Sequence, residues 1–291
     1  MLRRAVIDPS DESSRGAQTR PMIAGLSLPL PPPPPVVAAG GGFRERLRAA
    51  ALHLLACIAV VALLSVLVFG AWYPAPMPQL LGVGGILWIV VGVDVVVGPL
   101  FTLIVFDRRK PRLKWDLATI CALQLAALAY GVHTVYQGRP AFVVFAKDRF
   151  EIVSPSDLMP ADRMAAAANP LARLDPLRPR WVAARQPESA GEQVKIMEEA
   201  LAGGRDIQHH PRLYVDYAAD RATALERALP ISRLRSLNPG RDPKIDALVA
   251  ASGRSEEALR YLPLRGPAGD GAVLIDAKDA TVVSVAALVP W

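Results

Sequence analysis

Three long apolar runs stand apart from the rest of the 291-residue chain. Residues 49–72 comprise 24 positions without Asp, Glu, Lys or Arg, residues 80–106 comprise 27 with Asp94 alone charged, and residues 117–136 comprise 20 with none. At about 1.5 Å of rise per residue the shortest run reaches about 30 Å, the thickness of a bilayer's hydrocarbon core. The pattern predicts three transmembrane helices. A cleaved leader would have a shorter apolar core and no second span close behind it, so the first run reads as an uncleaved anchor.

The pattern changes after residue 137. Residues 141–153 read AFVVFAKDRFEIV, and a two-residue turn at Lys147 and Asp148 pairs Phe145 with Phe150 and Val143 with Ile152, which predicts a β-hairpin. Six prolines between residues 155 and 187 leave room for a short helix around 161–168 and a strand at 181–185. Helical periodicity returns at 192–202, 220–229 and 243–251, each closed by Gly or Pro, and 272–276 with 281–288 alternates as a second hairpin. The expected fold class is a membrane α region, three transmembrane helices (49–72, 80–106, 117–136 within 49–137), followed by a small mixed α/β domain over 138–291, periplasmic and of α+β type. Residues 1–48, with prolines at 31–35 and glycines at 40–42, are expected to be a disordered cytoplasmic tail.

Composition agrees with a membrane protein: 52% hydrophobic and 21% charged residues with a mean hydropathy of +0.27. The net charge is +6, and residues 138–291 hold 21 basic against 20 acidic groups, so +5 of it lies beside or between the apolar runs. A nucleic-acid binder would place its excess on the folded domain; none is expected here. The loop at 107–116 carries Arg108, Arg109, Lys110, Arg112 and Lys114, whereas 73–79 carries no charge. Short basic loops stay in the cytoplasm, which predicts a cytoplasmic N-terminus and an exported C-terminal domain, hence a multi-pass protein of a bacterial inner membrane. Trp72, Tyr73 and Tyr136 fall at the expected outer ends of the spans and Trp115 at an inner one, where amphipathic rings meet headgroups.

Asp94 is the sharpest chemical feature, about 18 Å from the inner end of its span by helix rise. A carboxyl near mid-membrane costs about 2.5–3.5 kcal/mol on insertion scales and needs a polar partner or a proton. Tyr130 lies at matching depth in the third run, with Gln124 shallower. Three readings stay open: an interhelical hydrogen bond to Tyr130, a contact with a partner's transmembrane helix, and proton chemistry. Pro99, after Gly98, should remove the helix bond to the Val95 carbonyl and kink the span. Gly82, Gly84, Gly85, Gly92 and Gly98 offer a small-residue face. Both cysteines, Cys57 and Cys121, lie inside apolar runs, so the exported domain has no disulfide or thiol chemistry. His209, His210, Asp206 and Asp216 fit no zinc spacing, and no P-loop, nucleophile elbow or dinucleotide fingerprint is present. Neither a metal nor a cofactor is expected, and the absence of these motifs weakens an enzymatic reading without removing it.

The order of several local strings resembles the type IV pilin accessory protein family of the TfpX/TfpZ type. They run from Trp72-Tyr73-Pro74 through Asp94-Val95-Val96, Gly98-Pro99-Leu100 and Gln124-Leu125 to Ala129-Tyr130-Gly131, Arg139-Pro140 and Asp148-Arg149-Phe150. They return in Tyr261-Leu262-Pro263-Leu264 and the terminal Pro290-Trp291. The resemblance implies an inner-membrane protein that helps pilin reach or remain in the surface fibre, without catalysis. The partners that the resemblance implies are type IV pilin subunits, other pilus assembly components and the lipid bilayer. A pilin subunit waits in the inner membrane by one apolar helix with its head in the periplasm, so Asp94, Gly98, Pro99, Gln124 and Tyr130 become candidates for meeting that helix. The alternatives are a membrane-anchored periplasmic enzyme and a small proton-linked membrane protein using Asp94. A sensor would need a cytoplasmic output domain, for which the sequence leaves no room.

Overall fold

Three helices long and apolar enough to cross a membrane run Gly42–Trp72, Val83–Val105 and Leu113–Gln137. They belong to a computed structural model that describes residues 40–291, with side chains from Gly42 onward. The proline run and most of the expected tail lie outside the described residues. The end of that tail does not: helix α1 (Gly40–Leu67) already includes residues 43–48. Nothing after Gly42 breaks it, and its charged start is held by Arg46 to Asp107 at 3.3 Å and by Glu45 to Arg108 at 3.5 Å. The basic loop therefore sits beside the start of α1.

The second apolar run is not one continuous helix. Helix α2 (Met77–Leu81) ends at Gly82, whose φ of 68° is left-handed and easily reached only without a Cβ. Helix α3 (Val83–Val91) then enters a π-helical turn (Gly92–Val97) before α4 (Gly98–Val105). The span thus begins at residue 83 rather than 80, because residues 77–81 are taken into the core of the domain below. Helix α5 (Leu113–Gln137) returns, and its last turn leads into the sheet.

The sheet is mixed, ordered β4 (Tyr214–Asp216), β3 (Arg180–Ala184), β1 (Phe142–Ala146), β2 (Arg149–Val153), β6 (Leu259–Arg265), β7 (Asp270–Asp276) and β8 (Val282–Ala286), with β5 (Leu229–Pro230) on β6. The β1–β2 hairpin has the expected register, Phe145 opposite Phe150 and Val143 opposite Ile152. Its turn uses Lys147 at φ 62°, held by Asp206 at 2.5 Å. The β7–β8 hairpin also forms. Strand β6 was not expected from periodicity, because Pro263 interrupts its pattern. It fits since β6 pairs with β2 at Leu264 and Arg265 and with β5 at Arg260 and Tyr261, leaving Pro263 between its two edge partners.

Both faces of the sheet are covered, so β1 is buried at all five positions instead of alternating. On one face Phe142, Val144 and Val182 pack under α7 (Ala190–Gly203) through Ile196. Beside them Leu259, Tyr261 and Leu274 pack under α9 (Ile231–Leu237) and α10 (Asp242–Ser252) through Leu234 and Ile245. Of the remaining helices, α6 is Pro160–Ala165 and α8 is Arg221–Arg227. The opposite face, with Val143, Phe145, Phe150, Leu262, Leu264 and Val273, closes on Val68, Trp72, Tyr73, Met77, Leu80, Val83 and Val135. Those residues are the ends of the membrane helices and their connection. Helix ends and sheet share one core, and residues 40–291 form one compact unit.

Candidate functional site

Two places carry more than packing: the joint between the sheet and the membrane helices, and the polar centre around Asp94. At the joint, Leu80 is 1% exposed, and its carbonyl accepts from the Ala268 N–H at 3.0 Å in the β6–β7 turn. The fit depends on glycines. A Cβ on Gly266 would lie 2.6 Å from the Leu80 carbonyl oxygen, one on Gly82 would lie 2.8 Å from the Ala268 Cβ, and one on Gly271 would lie 2.8 Å from the Ala286 carbonyl oxygen. Tyr73, 2% exposed, donates its hydroxyl to the Val135 carbonyl at 2.8 Å, tying α1's end to α5.

Arg139 completes the joint. It is 1% exposed and donates to the carbonyls of Tyr136 at 2.8 Å and Asp175 at 2.9 Å, with its guanidinium 3.7 Å from the Tyr136 ring centroid. Its place just past the C-terminus of α5 suits a cation, since the last helical carbonyls carry partial negative charge. Trp72 meets Tyr136 edge-on at 5.0 Å. Trp72 and Tyr73 are thus buried in the joint rather than turned outward as interface rings, because the sheet covers the end of the bundle where they stand. Trp115 is 76% exposed, on α5 near the basic loop.

At the polar centre the backbone explains the side chains. Gly98 donates its N–H to the Val93 carbonyl, five residues back. In that π register the next carbonyl, that of Asp94, faces residue 99, and Pro99 has no N–H to give. The Asp94 carbonyl is therefore left without a backbone donor from residue 99. Gln124 of α5 fills the place, its Nε2 donating to the Asp94 carbonyl at 3.3 Å. Gly98 allows this approach, since any Cβ there would overlap the Gln124 amide. Asp94, Gly98, Pro99 and Gln124 thus form one constellation.

Tyr130 does not bond to the Asp94 carboxyl. It is 75% exposed, and the interhelical bond present at Asp94 runs from Gln124 to the backbone carbonyl. Of the expected small-residue face only part is used. Gly98 is filled by Gln124, whereas a Cβ on Gly84, Gly85 or Gly92 would meet nothing within 4 Å; the close helix approach is instead Gly131 of α5 against Val90. A second polar tie, unforeseen, joins His53 Nδ1 of α1 to Thr102 Oγ1 of α4 at 2.6 Å. Its signal in the sequence was a histidine inside the first apolar run.

The four polar residues of the 206–216 region serve separate ends. Asp206 binds Lys147 and caps Ile207, and Asp216 caps Ala218. His210, 4% exposed, lies 3.7 Å from Asp162 and 3.5 Å from Glu199, with Arg205 beside both carboxylates and His209 adjacent in sequence. Among the described residues no group of three or more His, Cys, Asp and Glu is placed to hold a metal.

Burial holds the His210 pKa below its ordinary 6.5, against the pull of Glu199 and Asp162. The unfolded chain takes up this proton before the native one does, so the stability from a neutral His210 is present above about pH 6.5 and is lost as pH falls below it. Thermal denaturation of the purified protein is expected to give a lower Tm at pH 5.5 than at pH 7.5, and His210→Gln should flatten that difference. An unchanged slope in the variant would assign the pH response to other groups.

The family described as fimbrial assembly protein FimB matches residues 42–82, which hold the first span, α2 and the Gly82 turn. Two fimbrial assembly proteins of Dichelobacter nodosus, those of serogroups I and E1, are each 29% identical over 221 residues, 75% of this chain and 85% of theirs. The fimbrial assembly protein of serogroups C1 and C2 from the same organism is 36% identical over 115 residues, 38% of this chain and 87% of the relative. No solved structure matches.

Proposed function

The chain belongs to the fimbrial assembly protein family, and on that premise we propose that it is an inner-membrane accessory protein of type IV pilus biogenesis, binding pilin subunits before or during their entry into the fibre. The observation that carries this reading is the shared core of membrane helices and sheet. Because Leu80 and Tyr73 are common to both parts, an intramembrane surface and a domain outside the bilayer are held at fixed separation. A subunit with one apolar helix and a head beyond the membrane presents two surfaces at such a spacing. The contact at the helix is assigned to the bundle around Asp94, and the contact at the head to the sheet domain.

The orientation follows from charge. Arg108, Arg109, Lys110, Arg112 and Lys114 lie beside the start of α1, at the end of the bundle away from the joint, and short basic loops are retained in the cytoplasm. The sheet domain is then periplasmic. The role is one of holding rather than catalysis, and Asp206, Asp216 and Arg235 of the domain are engaged in caps and ion pairs. The test compares surface-exposed with total pilin in the source bacterium, with the gene, without it, and with it restored. Surface pilin should fall while total pilin holds. If both are unchanged, the reading is wrong.

A further inference from the structure

The Asp94 centre has a chemical bias that packing leaves unspent. Asp94 is 5% exposed, yet its Oδ2 has no hydrogen-bond partner among the described residues, and neither has the buried Oε1 of Gln124. The donors nearby are already committed: Gln124 Nε2 to the Asp94 carbonyl at 3.3 Å and the Cys57 sulfur at 3.8 Å, and His53 to Thr102 at 2.6 Å. What remains unpartnered is two oxygens that can accept. Asp94 and Gln124 line a groove of about 240 Å³ between α1 and α5, whose other walls are His53, the two cysteines and apolar side chains such as Val60, Leu125 and Leu128.

An acceptor left without a donor in hydrocarbon is costly, and water is not at hand to repay it. Apolar helices gain little by associating in lipid unless they pack closely or share hydrogen bonds. We propose that the α1–α5 groove seats a transmembrane helix of the fimbrial subunit that presents a hydrogen-bond donor, an N–H or O–H group, to Asp94 Oδ2 and Gln124 Oε1 at mid-membrane. This rests on the assembly role argued above and adds the chemistry that the partner must carry. It also gives Gly98 and Pro99 a purpose. The π turn spends the Gln124 amide N–H₂ on the backbone and leaves the side chain's acceptor oxygen without a partner.

The test places a photo-crosslinking amino acid at Leu125, 64% exposed on the groove wall, in the full-length protein in the source bacterium, with one at Ile104, 60% exposed on α4, as the control. The probe is the pilin subunit, detected with its own antibody. Leu125 should capture it and Ile104 should not. Asp94→Leu, which removes the acceptor, should lower the Leu125 product by about tenfold, the scale of one to two interhelical hydrogen bonds. Asp94→Asn keeps an acceptor oxygen and should retain most of it. Equal membrane levels and an unchanged proteolytic pattern of the sheet domain certify that each variant is folded. A Leu125 product indifferent to Asp94→Leu, or lost equally in Asp94→Asn, overturns the donor assignment. If deleting the gene lowers surface pilin but Leu125 captures none, the groove proposal falls and the assembly role stands; if deletion changes nothing, the role itself falls.

Discussion

Replacing Leu80 with aspartate is expected to release the sheet domain from the membrane helices. The side chain is 1% exposed and packs against Gly271, with its Cδ atoms 3.3 and 3.4 Å from where a Cβ there would be. Truncating a buried leucine to alanine costs about 2–5 kcal/mol. Aspartate adds the penalty of a buried carboxylate. Since the whole membrane-facing side of the sheet belongs to the same core, the loss should spread to the domain. Limited proteolysis of membranes should cut residues 138–291 rapidly in Leu80→Asp, slowly in Leu80→Ala, and at the parental rate in Leu80→Met. Full-length protein should still fractionate with the membrane. Resistance equal to the parent in Leu80→Asp would show that the joint contributes nothing to the domain.

The second expected result concerns the π turn. Gly98→Ala should destabilise the bundle by about 1–3 kcal/mol, because its methyl overlaps the Gln124 amide and the tightly held side chain must leave. Gln124→Leu should cost about 0.6–1.7 kcal/mol, the range for an interhelical hydrogen bond in a membrane. The informative variant is Pro99→Ala. It supplies the N–H that the Asp94 carbonyl lacks, so in that background Gln124→Leu should cost almost nothing. A double-mutant cycle on thermal denaturation in detergent measures the coupling, expected near 1 kcal/mol. Strict additivity would mean that the proline and the glutamine do not serve the same carbonyl.

Much of this architecture is legible in the sequence, and the misses have definite causes. The spans follow from length and charge alone, and the β1–β2 register from the pairing of Phe145 with Phe150 across Lys147 and Asp148. Strand β6 hides because Pro263 breaks its pattern, and only the paired structure shows that the proline falls between two edge partners. Leu80 hides for the opposite reason: it continues an apolar run, and nothing local says that the chain turns at Gly82 and puts residues 77–81 into a sheet about 180 residues further on. Asp94 was visible, and so was Gln124, but not that Gln124 would bond to the Asp94 backbone. Depth along a helix comes from counting residues, but facing direction does not, and Gln124 and Tyr130 are six positions apart, about 240° around the helix. Depth selected Tyr130, whereas direction selects Gln124.

The shared core also sets an order of events in the life of the chain. Residues 73–83 leave the ribosome long before β6 and β7, which they must meet, and they reach their place only if the first two spans have crossed in the right sense. Until then one side of the sheet, Val143, Phe145, Phe150, Leu262 and Val273, has no cover. A molecule inserted upside down, or missing a span, would carry that greasy side bare to the quality-control proteases of its compartment. The joint between helix ends and sheet is thus also the point at which the cell can tell a correctly threaded molecule from a failed one.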